Sequence, residues 1–442
     1  MGQDMNLRKE ADEIIEEVLL SVQPDCAVKK ALKQKQFQKG KIYLVAVGKA
    51  AWQMAKAASE CLTDKITRGI VITKYDHVKG EIPRIECCEA GHPLSDENSF
   101  RYTQKVLDMV SGLNKEDTVL FLLSGGGSAL FEKPLLPEEE LIDINHQLLA
   151  CGADIVEINT IRKKLSAVKG GKFAKCCEPA SVYSIILSDI LGDPVDMIAS
   201  GPACADGSTC EEAMRIVEKY QLSISSQARQ LLETETPKAV TNAENIVMGS
   251  VKELCKAAEI ACRRRGYQVI FLTDRLNCEA REAGTFLAAI AQSHQDSPQS
   301  LAFLAGGETV VHIRGSGKGG RNQELALSAA EGIAGLENTA VFSVGSDGTD
   351  GPTNAAGGYV DQDTKSALSE KGWDIYETLQ NNDAYHALEA VNGLIITGST
   401  GTNVNDVSVL LIKQIVPVFC LLNGCVSLHG RMNGQGERSL QC

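Results

Sequence analysis

Short apolar runs that end in glycine-rich polar loops recur along this chain, and they constrain its fold most strongly. Examples are Ile42 to Val47, Thr118 to Leu123 and Ala340 to Val344, each of strand length. Strands without a polar face are typical of parallel sheets that are covered by helices on both sides. Because the carboxyl ends of parallel strands lie along one edge, the loops that follow can meet in one crevice. The pattern predicts an α/β fold with mainly parallel sheets flanked by helices.

The length of the chain and one polar stretch predict its division into domains. At 442 residues the chain exceeds one ordinary core, which predicts two or three units. The polar stretch Glu233 to Asn245 is the best candidate linker and gives domains at residues 1–236 and 237–412. Residues 413–442 form an atypical tail that we expect to be poorly ordered.

The charge and cysteine content limit the classes of partner. A formal net charge of −13 argues against nucleic acid, since no basic stripe stands out. The chain shows no apolar run of roughly 18 residues and no N-terminal signal pattern, so we expect a cytoplasmic protein without a membrane partner. Its 15 cysteines show no CxxC spacing suited to zinc and are expected to be reduced. The expected partners are small molecules, and a homodimer is left open.

The stretch Ala305 to Leu327 gathers glycines and positive charge, which predicts an anion site. A helix that begins near Asn322, directly after glycines, would offer unpaired N–H groups and a positive dipole end. Arg321-Asn322 stand where a Walker motif requires Lys and then Ser or Thr, so this is no P-loop. Val310 to Ile313 is predicted as a short strand before the glycine loop. The alternative to an anion site is a glycine-rich hairpin followed by an ordinary surface helix. The candidate binding residues here are Gly306, Gly307, Glu308, Lys318 and Asn322.

Two more loops follow apolar strands in the first half of the chain. Lys49 comes directly after the strand Ile42 to Val47, among small residues that permit close approach of a ligand; a solvated lysine is the alternative. Three consecutive glycines after Thr118 to Leu123 are more than a plain turn needs, which predicts backbone contact with a carboxylate or phosphate. The flanking serines lack the G-x-S-x-G pattern of serine hydrolases. The candidate residues in this second loop are Ser124, Gly125, Gly126, Gly127 and Ser128.

Acidic loops supply candidates for acid–base chemistry and for metal binding. Asp189 lies nearest to the end of a predicted strand, so it is our first choice as the base for a substrate hydroxyl. Carboxylates are also hard oxygen ligands for Mg²⁺, and the candidate metal ligands are Asp189, Asp193 and Asp347. Capping of turns and of the following helix is the alternative role.

Three other polar segments supply further candidate site residues. Arg162 would suit a clamp for a carboxylate or phosphate, against the alternative of charge on a solvated helix face. His92 could act as a base, although a histidine beside Gly and Pro is more often a hydrogen-bonding loop residue. Thr402 and Asn403 lie in the last glycine-containing loop, before the final strand.

With these motifs assembled, the chain resembles the class II glycerate kinases, whose C-terminal half is called the MOFRL domain. The resemblance runs from the N-terminus to about residue 412. The motifs that carry it are VAVGKA at Val45 to Ala50, SGGGSAL at Ser124 to Leu130, NTIRKKLSAVKGG at Asn159 to Gly171, LSDILGDPVDMIASGP at Leu187 to Pro202, GGRNQELAL at Gly319 to Leu327, GSDGTDGPT at Gly345 to Thr353 and TGTNVND at Thr400 to Asp406.

The resemblance implies a fold and a reaction. The fold would be a Rossmann-like N-terminal domain and a smaller α/β MOFRL domain, with the active site in the cleft between them. The reaction would transfer the γ-phosphoryl group of ATP, with Mg²⁺, to the 2-hydroxyl of D-glycerate and give 2-phosphoglycerate. The catalytic pair proposed for the family would be Lys49 and Arg321 in this chain. Positive charge at both positions suits phosphoryl transfer, which gains chiefly from positioning and charge stabilisation.

Two rival functions are weighed against the kinase. A hydroxypyruvate or tartronate-type reductase, a label this family has also carried, should show G-x-G-x-x-G after its first strand. The residues Val47-Gly48-Lys49-Ala50-Ala51 do not supply that motif. A non-catalytic sugar-acid sensor would need a module that reads the signal, and the sequence offers no DNA-binding module.

Overall fold

A computed structural model describes residues 7–414 of the chain, which form two six-stranded sheets flanked by helices. The first sheet is parallel throughout and has the strand order β3-β2-β1-β4-β5-β6. Its strands are β1 Ile42–Val47, β2 Ile66–Lys74, β3 Ile85–Ala90, β4 Thr118–Leu123, β5 Ser181–Leu187 and β6 Ala243–Gly249.

The order of these strands reverses direction between β1 and β4. The chain moves outward from β1 through β2 to β3, then returns to the other side of β1 and continues through β4 to β6. Every residue of β4 is buried, and separate apolar clusters cover the two faces of the sheet. In open parallel sheets, ligands bind at the carboxyl ends of the strands where the order reverses. The loops after β1 and β4, which carry Lys49 and Gly125, lie at this position.

The second sheet has the order β11-β10-β9-β12-β8-β7 and is mixed. Of its described strand pairs, β7 with β8 is parallel, while β12 lies antiparallel between β8 and β9, and β9, β10 and β11 also pair antiparallel. The largely apolar, fully buried sequence of β12 did not reveal its direction, because a buried central strand reads the same in either orientation. The strands are β7 Gln268–Leu276, β8 Leu301–Gly307, β9 Thr339–Gly345, β10 Gly357–Asp361, β11 Leu394–Ile395 and β12 Asp406–Ile412.

Helices cover both sheets. The first helix packs on the second sheet, because its apolar stripe joins the core formed by the helix Val251–Arg264 and β9. The helices are α1 Leu7–Ser21, α2 Pro24–Gln34, α3 Ala51–Leu62, α4 Glu97–Val110, α5 Gly127–Leu130, α6 Glu138–Ala150, α7 Ile155–Leu165, α8 Lys172–Cys176, α9 Cys210–Tyr220, α10 Ser226–Leu232, α11 Val251–Arg264, α12 Ala280–His294, α13 Arg321–Ile333, α14 Thr364–Glu370, α15 Ile375–Gln380 and α16 Ala384–Ala390. Within residues 7–414, none of them is long and apolar enough to cross a membrane.

The sheets divide the chain later than the predicted linker does. Strand β6 follows the predicted boundary at 236/237 but is the edge strand of the first sheet, so the chain passes between sheets after Gly249. The expected strand Val310 to Ile313 is irregular in the structure. Lys413 is held by Glu10 and by the carbonyl of Arg265. The prediction for the rest of the tail, residues 415–442, lies outside the described residues.

Candidate functional site

The turn after β1 is tied to the glycine-rich loop after β4. The Lys49 N–H donates to the carbonyl of Gly125 at 2.9 Å, and the Ala50 N–H donates to the Ser124 hydroxyl at 3.1 Å. Gly48 packs directly on Ser124, with a φ of 119° that favours glycine. Adjacent parallel strands bring these turns together, and the hydrogen bonds fix Lys49 beside the three glycines.

Asp189, at the end of β5, completes this group. Its carboxylate lies against Gly125, where a Cβ on that residue would overlap the carboxylate oxygen. Burial raises the pKa of Asp189, and the nearby charge of Lys49 opposes that rise. Only glycine allows the carboxylate to approach the loop backbone so closely. The predicted candidates Lys49, Gly125 and Asp189 therefore meet at one point.

A cleft of about 410 Å³ opens over this point and is lined by both domains. The first domain contributes the Lys49 turn and the segment Lys74 to Lys79 after β2. The second domain contributes loops that follow β9 and β11, and its Gly401 packs on Gln53 of α3. The predicted site residues that line the cleft are Lys49, Ser124, Gly125, Asp189, Asp347, Thr402 and Asn403.

The glycine loop after β4 presents free donors. No hydrogen bond within residues 7–414 uses the backbone N–H groups of residues 125–128 as donors. The hydroxyls beside them are occupied, because Ser124 accepts from Ala50 and Ser128 lies 3.3 Å from the Ser200 hydroxyl. Successive unpaired amides in such a turn form a concave site for an anion. The free donors of this loop are therefore backbone N–H groups, whereas both serine hydroxyls already have partners.

The segment after β2 was missed as a site by sequence reasoning. Lys74, His77 and Lys79 line the cleft, and the His77 ring nitrogen lies 3.2 Å from the carbonyl of Lys49. The position of the segment after a strand next to β1 was the available signal. His92 lies beside Gly126, outside the cleft lining, and burial together with the charge of Lys49 lowers its pKa. His92 is therefore neutral near pH 7.

The glycine-rich loop of the second domain is closed by the chain itself, contrary to our prediction. The Arg314 and Gly315 N–H groups donate to the side chain of Asn382. The next three N–H groups donate to Asn381 and Asp383. Lys318 extends over the ring of Tyr385 at 4.3 Å from its centroid. Since the amides of residues 314–318 already have partners, this part of the loop offers no cradle for a phosphate.

The start of α13 is also occupied. The carboxylate of Asp350 accepts hydrogen bonds from the backbone N–H groups of Asn322 and Gln323 and from both side chains. Asn322 is buried, and its side-chain oxygen accepts from Ser343 at 2.6 Å. A carboxylate from a distant loop therefore neutralises the positive end of the helix. The predicted role of Asn322 in binding an anion is not supported by this arrangement.

Arg321 lies in a neighbouring cavity of about 570 Å³ rather than in the cleft around Lys49. Its guanidinium forms a two-point contact with Asp406, at 2.5 and 3.1 Å, and lies 3.4 Å from Glu308. Burial raises the pKa of Asp406 to about 6, and Arg321 opposes the rise. Leu191, from the loop that carries Asp189, lines the same cavity. Gly306 and Gly307 end β8 beside it and are buried.

Arg162 is turned inward instead of lying on a solvated face or clamping a ligand. Its guanidinium donates to the carbonyl of Ser128 at 3.0 Å, and burial lowers its pKa. The neighbouring Lys163 and Lys164 are buried in ion pairs with Asp206 and Glu235. Arg162 thus contacts the glycine loop through the carbonyl of Ser128.

The candidate metal ligands separate into two groups. Asp189 and Asp347 face the cleft, whereas Asp193 does not line it. No group of three or more His, Cys, Asp or Glu side chains within residues 7–414 is arranged to hold a metal ion. Magnesium in phosphoryl-transfer enzymes commonly takes one or two carboxylates and completes its shell with phosphate oxygens and water. The pair Asp189 and Asp347 fits that kind of site.

Comparisons with known proteins agree with this architecture. Residues 10–233 match a family described as a domain of unknown function, DUF4147, and residues 301–406 match the MOFRL family. The chain is 50% identical to a D-glycerate 2-kinase of Thermotoga maritima, over 92% of this chain and 99% of that protein. It is 39% identical to a glycerate 2-kinase of Pyrococcus horikoshii, over 93% and 98%. An Agrobacterium vitis protein named provisionally as a hydroxypyruvate reductase is 37% identical, over 92% and 95%.

A solved structure shows the same fold. The crystal structure of a glycerate kinase from Thermotoga maritima superposes with a TM-score of 0.89 at 50% identity and covers 92% of this chain and 99% of that one. The two-domain α/β fold predicted from the sequence is confirmed. The chain belongs to the glycerate kinase family with a C-terminal MOFRL domain.

Proposed function

We propose that this chain is a glycerate 2-kinase, which transfers the γ-phosphoryl group of ATP to the 2-hydroxyl of D-glycerate. The observation that carries the proposal is the convergence of Lys49, the free amides of residues 125–128 and Asp189 where the strand order reverses. Cation, amide dipoles and carboxylate are the groups that phosphoryl transfer to an alcohol requires. The names of the relatives support the same reaction.

Each group has a separate role in this proposal. Lys49 stabilises the charge on the transferred phosphoryl group, and the amides of residues 125–128 bind its oxygens or the substrate carboxylate. Asp189 accepts the proton of the attacking hydroxyl, for which its raised pKa suits it. Asp347, together with Asp189, would hold Mg²⁺, which neutralises phosphate charge when bound. Arg321, with Asp406 behind it, would reach the reacting groups from the adjoining cavity.

The structure also bears on the reductase alternative. The N–H groups of Gly48, Lys49, Ala50 and Ala51 all donate to oxygens of the protein. The first turn of the sheet therefore lacks the open amides with which a dinucleotide-binding turn holds a pyrophosphate. This favours the kinase over a nicotinamide-dependent enzyme.

A coupled assay tests the reaction and the position of transfer. The chain is incubated with ATP, Mg²⁺ and D-glycerate, and the product is passed to enolase, pyruvate kinase and lactate dehydrogenase. Signal without added phosphoglycerate mutase identifies 2-phosphoglycerate, whereas dependence on mutase identifies transfer to the 3-hydroxyl. The control measures NADH oxidation by the chain itself, with hydroxypyruvate as the only substrate and without the coupling enzymes. Reduction of hydroxypyruvate without ATP-dependent turnover of glycerate would overturn the proposal.

A further inference from the structure

Five basic side chains, three buried and two partly buried, lie in the first domain next to the glycine loop, and we call them the buried cation cluster. They come from α7 and the segment that follows it, and the three lysines Lys163, Lys164 and Lys169 are among the most deeply buried polar residues of the chain. The members of the cluster are Arg162, Lys163, Lys164, Lys169 and Lys172.

Two members of the cluster contact the glycine loop directly. Lys169 is fully buried, and its ammonium donates to the carbonyls of Ser128 and Phe131 at 2.9 and 2.8 Å. Its charge is balanced by Glu132 at 3.0 Å. Arg162 donates to the same Ser128 carbonyl at 3.0 Å. Two cations from different segments therefore hold one peptide group of the loop.

The held carbonyl lies in α5, whose first two residues supply two of the four free amides, while Gly125 and Gly126 directly before it supply the others. Helix α5 spans only the four residues Gly127–Leu130, so its own hydrogen bonds fix its orientation weakly. Its last carbonyls would otherwise lack partners, and cations at a helix C-terminus interact favourably with them. Fixing the end of so short a helix also fixes the direction of the N–H groups at its start.

Stability alone does not require an ammonium at position 169. Burial opposes the charge and lowers the pKa of Lys169 to about 8. Replacement of a buried ion pair by apolar side chains of similar volume is often neutral or stabilising. The pair Lys169 and Glu132 therefore has a cost that an apolar pair would avoid, which points to a role in geometry.

We propose that Lys169, assisted by Arg162, is a positioning residue for phosphoryl transfer that holds the Ser128 carbonyl and thereby orients the N–H groups of residues 125–128 toward the cleft. The inference rests on the proposed kinase function. Lys169 does not touch the reacting atoms and acts through the backbone of the loop. Misplacement of such donors by about 1 Å can cost on the order of 100-fold in rate.

The test separates positioning from folding with a paired replacement. Lys169→Met alone leaves Glu132 buried without a partner, so the double variant Lys169→Met/Glu132→Met is the one assayed. We expect it to stay folded, with a modest loss of stability from the Ser128 and Phe131 carbonyls that lose a donor, and to lose roughly 10- to 100-fold in kcat, with a smaller change in KM. A double variant that folds and keeps the kcat of the wild type overturns the inference.

Lys172→Met is the matched control. Lys172 is partly buried and desolvation likewise lowers its pKa to about 8, but it donates to the carbonyls of Lys163, Lys164 and Ser166 and not to the glycine loop. We expect it to lose stability and keep kcat. A loss of kcat equal to that of the double variant would show a general effect of destabilisation and would overturn the inference.

Arg162→Met gives an independent measurement if the double variant does not fold. Arg162 is only partly buried, and the bond that it loses is the one to Ser128. A fall in kcat of roughly 3- to 10-fold supports the inference, and an unchanged kcat contradicts it. A wild-type chain inactive with ATP and D-glycerate would instead refute the proposed function, before any variant is compared.

Discussion

Two glycine-rich regions of this chain look alike in sequence and differ in what their backbones do. Residues 125–128 follow β4, and no hydrogen bond within residues 7–414 uses their N–H groups, which lie beside Lys49. Residues 314–318 lie in the loop before α13 and have their N–H groups bonded to Asn381, Asn382 and Asp383. Both regions combine glycines with nearby cations, and the first is open to a ligand while the second is closed.

The difference teaches that glycines and positive charge are not sufficient evidence for an anion site. What decides is whether the rest of the fold supplies acceptors for the same N–H groups. In the second region Asp350 takes the place that a phosphate would occupy at the start of α13. Four variants test this contrast between the regions, with expected effects that decrease from Lys49→Ala to Lys318→Ala.

Replacement of the cleft lysine should have the largest effect on turnover. We expect Lys49→Ala to lower kcat by roughly 100- to 1,000-fold, because Lys49 lines the cleft and forms no ion pair within the described residues that its loss would leave unbalanced. Thermal melting should stay nearly unchanged for the same reason. The coupled assay and a melting curve measure the two. Full activity in Lys49→Ala would remove the first region from the mechanism.

Replacement of the proposed base should change the pH dependence as well as the rate. Asp189 accepts a proton only when ionised, so its raised pKa places the acid limb of kcat above the ordinary carboxyl value of 3.8. We expect Asp189→Asn to lower kcat by roughly 100-fold or more and to abolish that limb. Asp347→Asn, from the same cleft, is the control and should keep it. An acid limb that survives in Asp189→Asn assigns the base elsewhere.

Arg321→Ala should lower stability together with activity, unlike Lys49→Ala. It leaves Asp406 buried without its cation, which we expect to cost up to about 3 kcal/mol of the free energy of unfolding. Without Arg321 the pKa of Asp406 rises above about 6, so the folded state binds its proton more tightly than the unfolded chain. Stability of the variant should therefore increase as the pH falls from 7 toward 5.

Denaturant unfolding at several pH values measures this effect. The double variant Arg321→Ala/Asp406→Asn has no carboxylate to protonate at this position, and it should lose the gain in stability at low pH. Equal pH dependence in the single and double variants would contradict the assignment to Asp406. An Arg321→Ala variant that melts at the same temperature as the wild type would show that the Arg321–Asp406 pair contributes little to stability.

The smallest effect is expected in the closed region. Lys318 lies over the ring of Tyr385, so Lys318→Ala should lose a cation–π contact worth about 0.5–1 kcal/mol and change the KM for ATP less than about twofold. Steady-state kinetics with ATP as the varied substrate test this. A rise of about tenfold in that KM would restore residues 314–320 as a phosphate site and would abolish the contrast between the regions.

The structure agrees with the predictions that rest on signals within a few residues of the chain. The apolar run of β4 and the glycines after it are local, and the predicted meeting of Lys49, Gly125 and Asp189 followed from adjacent parallel strands. The inward direction of Arg162 was not predicted, because the partners of the buried cation cluster come from remote segments. Arg162 donates to the carbonyl of Ser128, and Lys163 pairs with Asp206. Membership of a kinase family implies ATP as a substrate, whereas the Mg²⁺ and homodimer predictions stay predictions, as does the cytoplasmic location.

The sequence by itself determined the family, the α/β class and the loops at the strand ends, because apolar runs and glycine positions act on the chain within a few residues. Only the tertiary structure decided which donors remain free. Asn382 lies 67 residues from Gly315 in the chain, and Asp350 lies 28 from Asn322, yet these contacts close one region. Within residues 7–414 the N–H groups of 125–128 meet no such acceptor, so they stay available to a ligand.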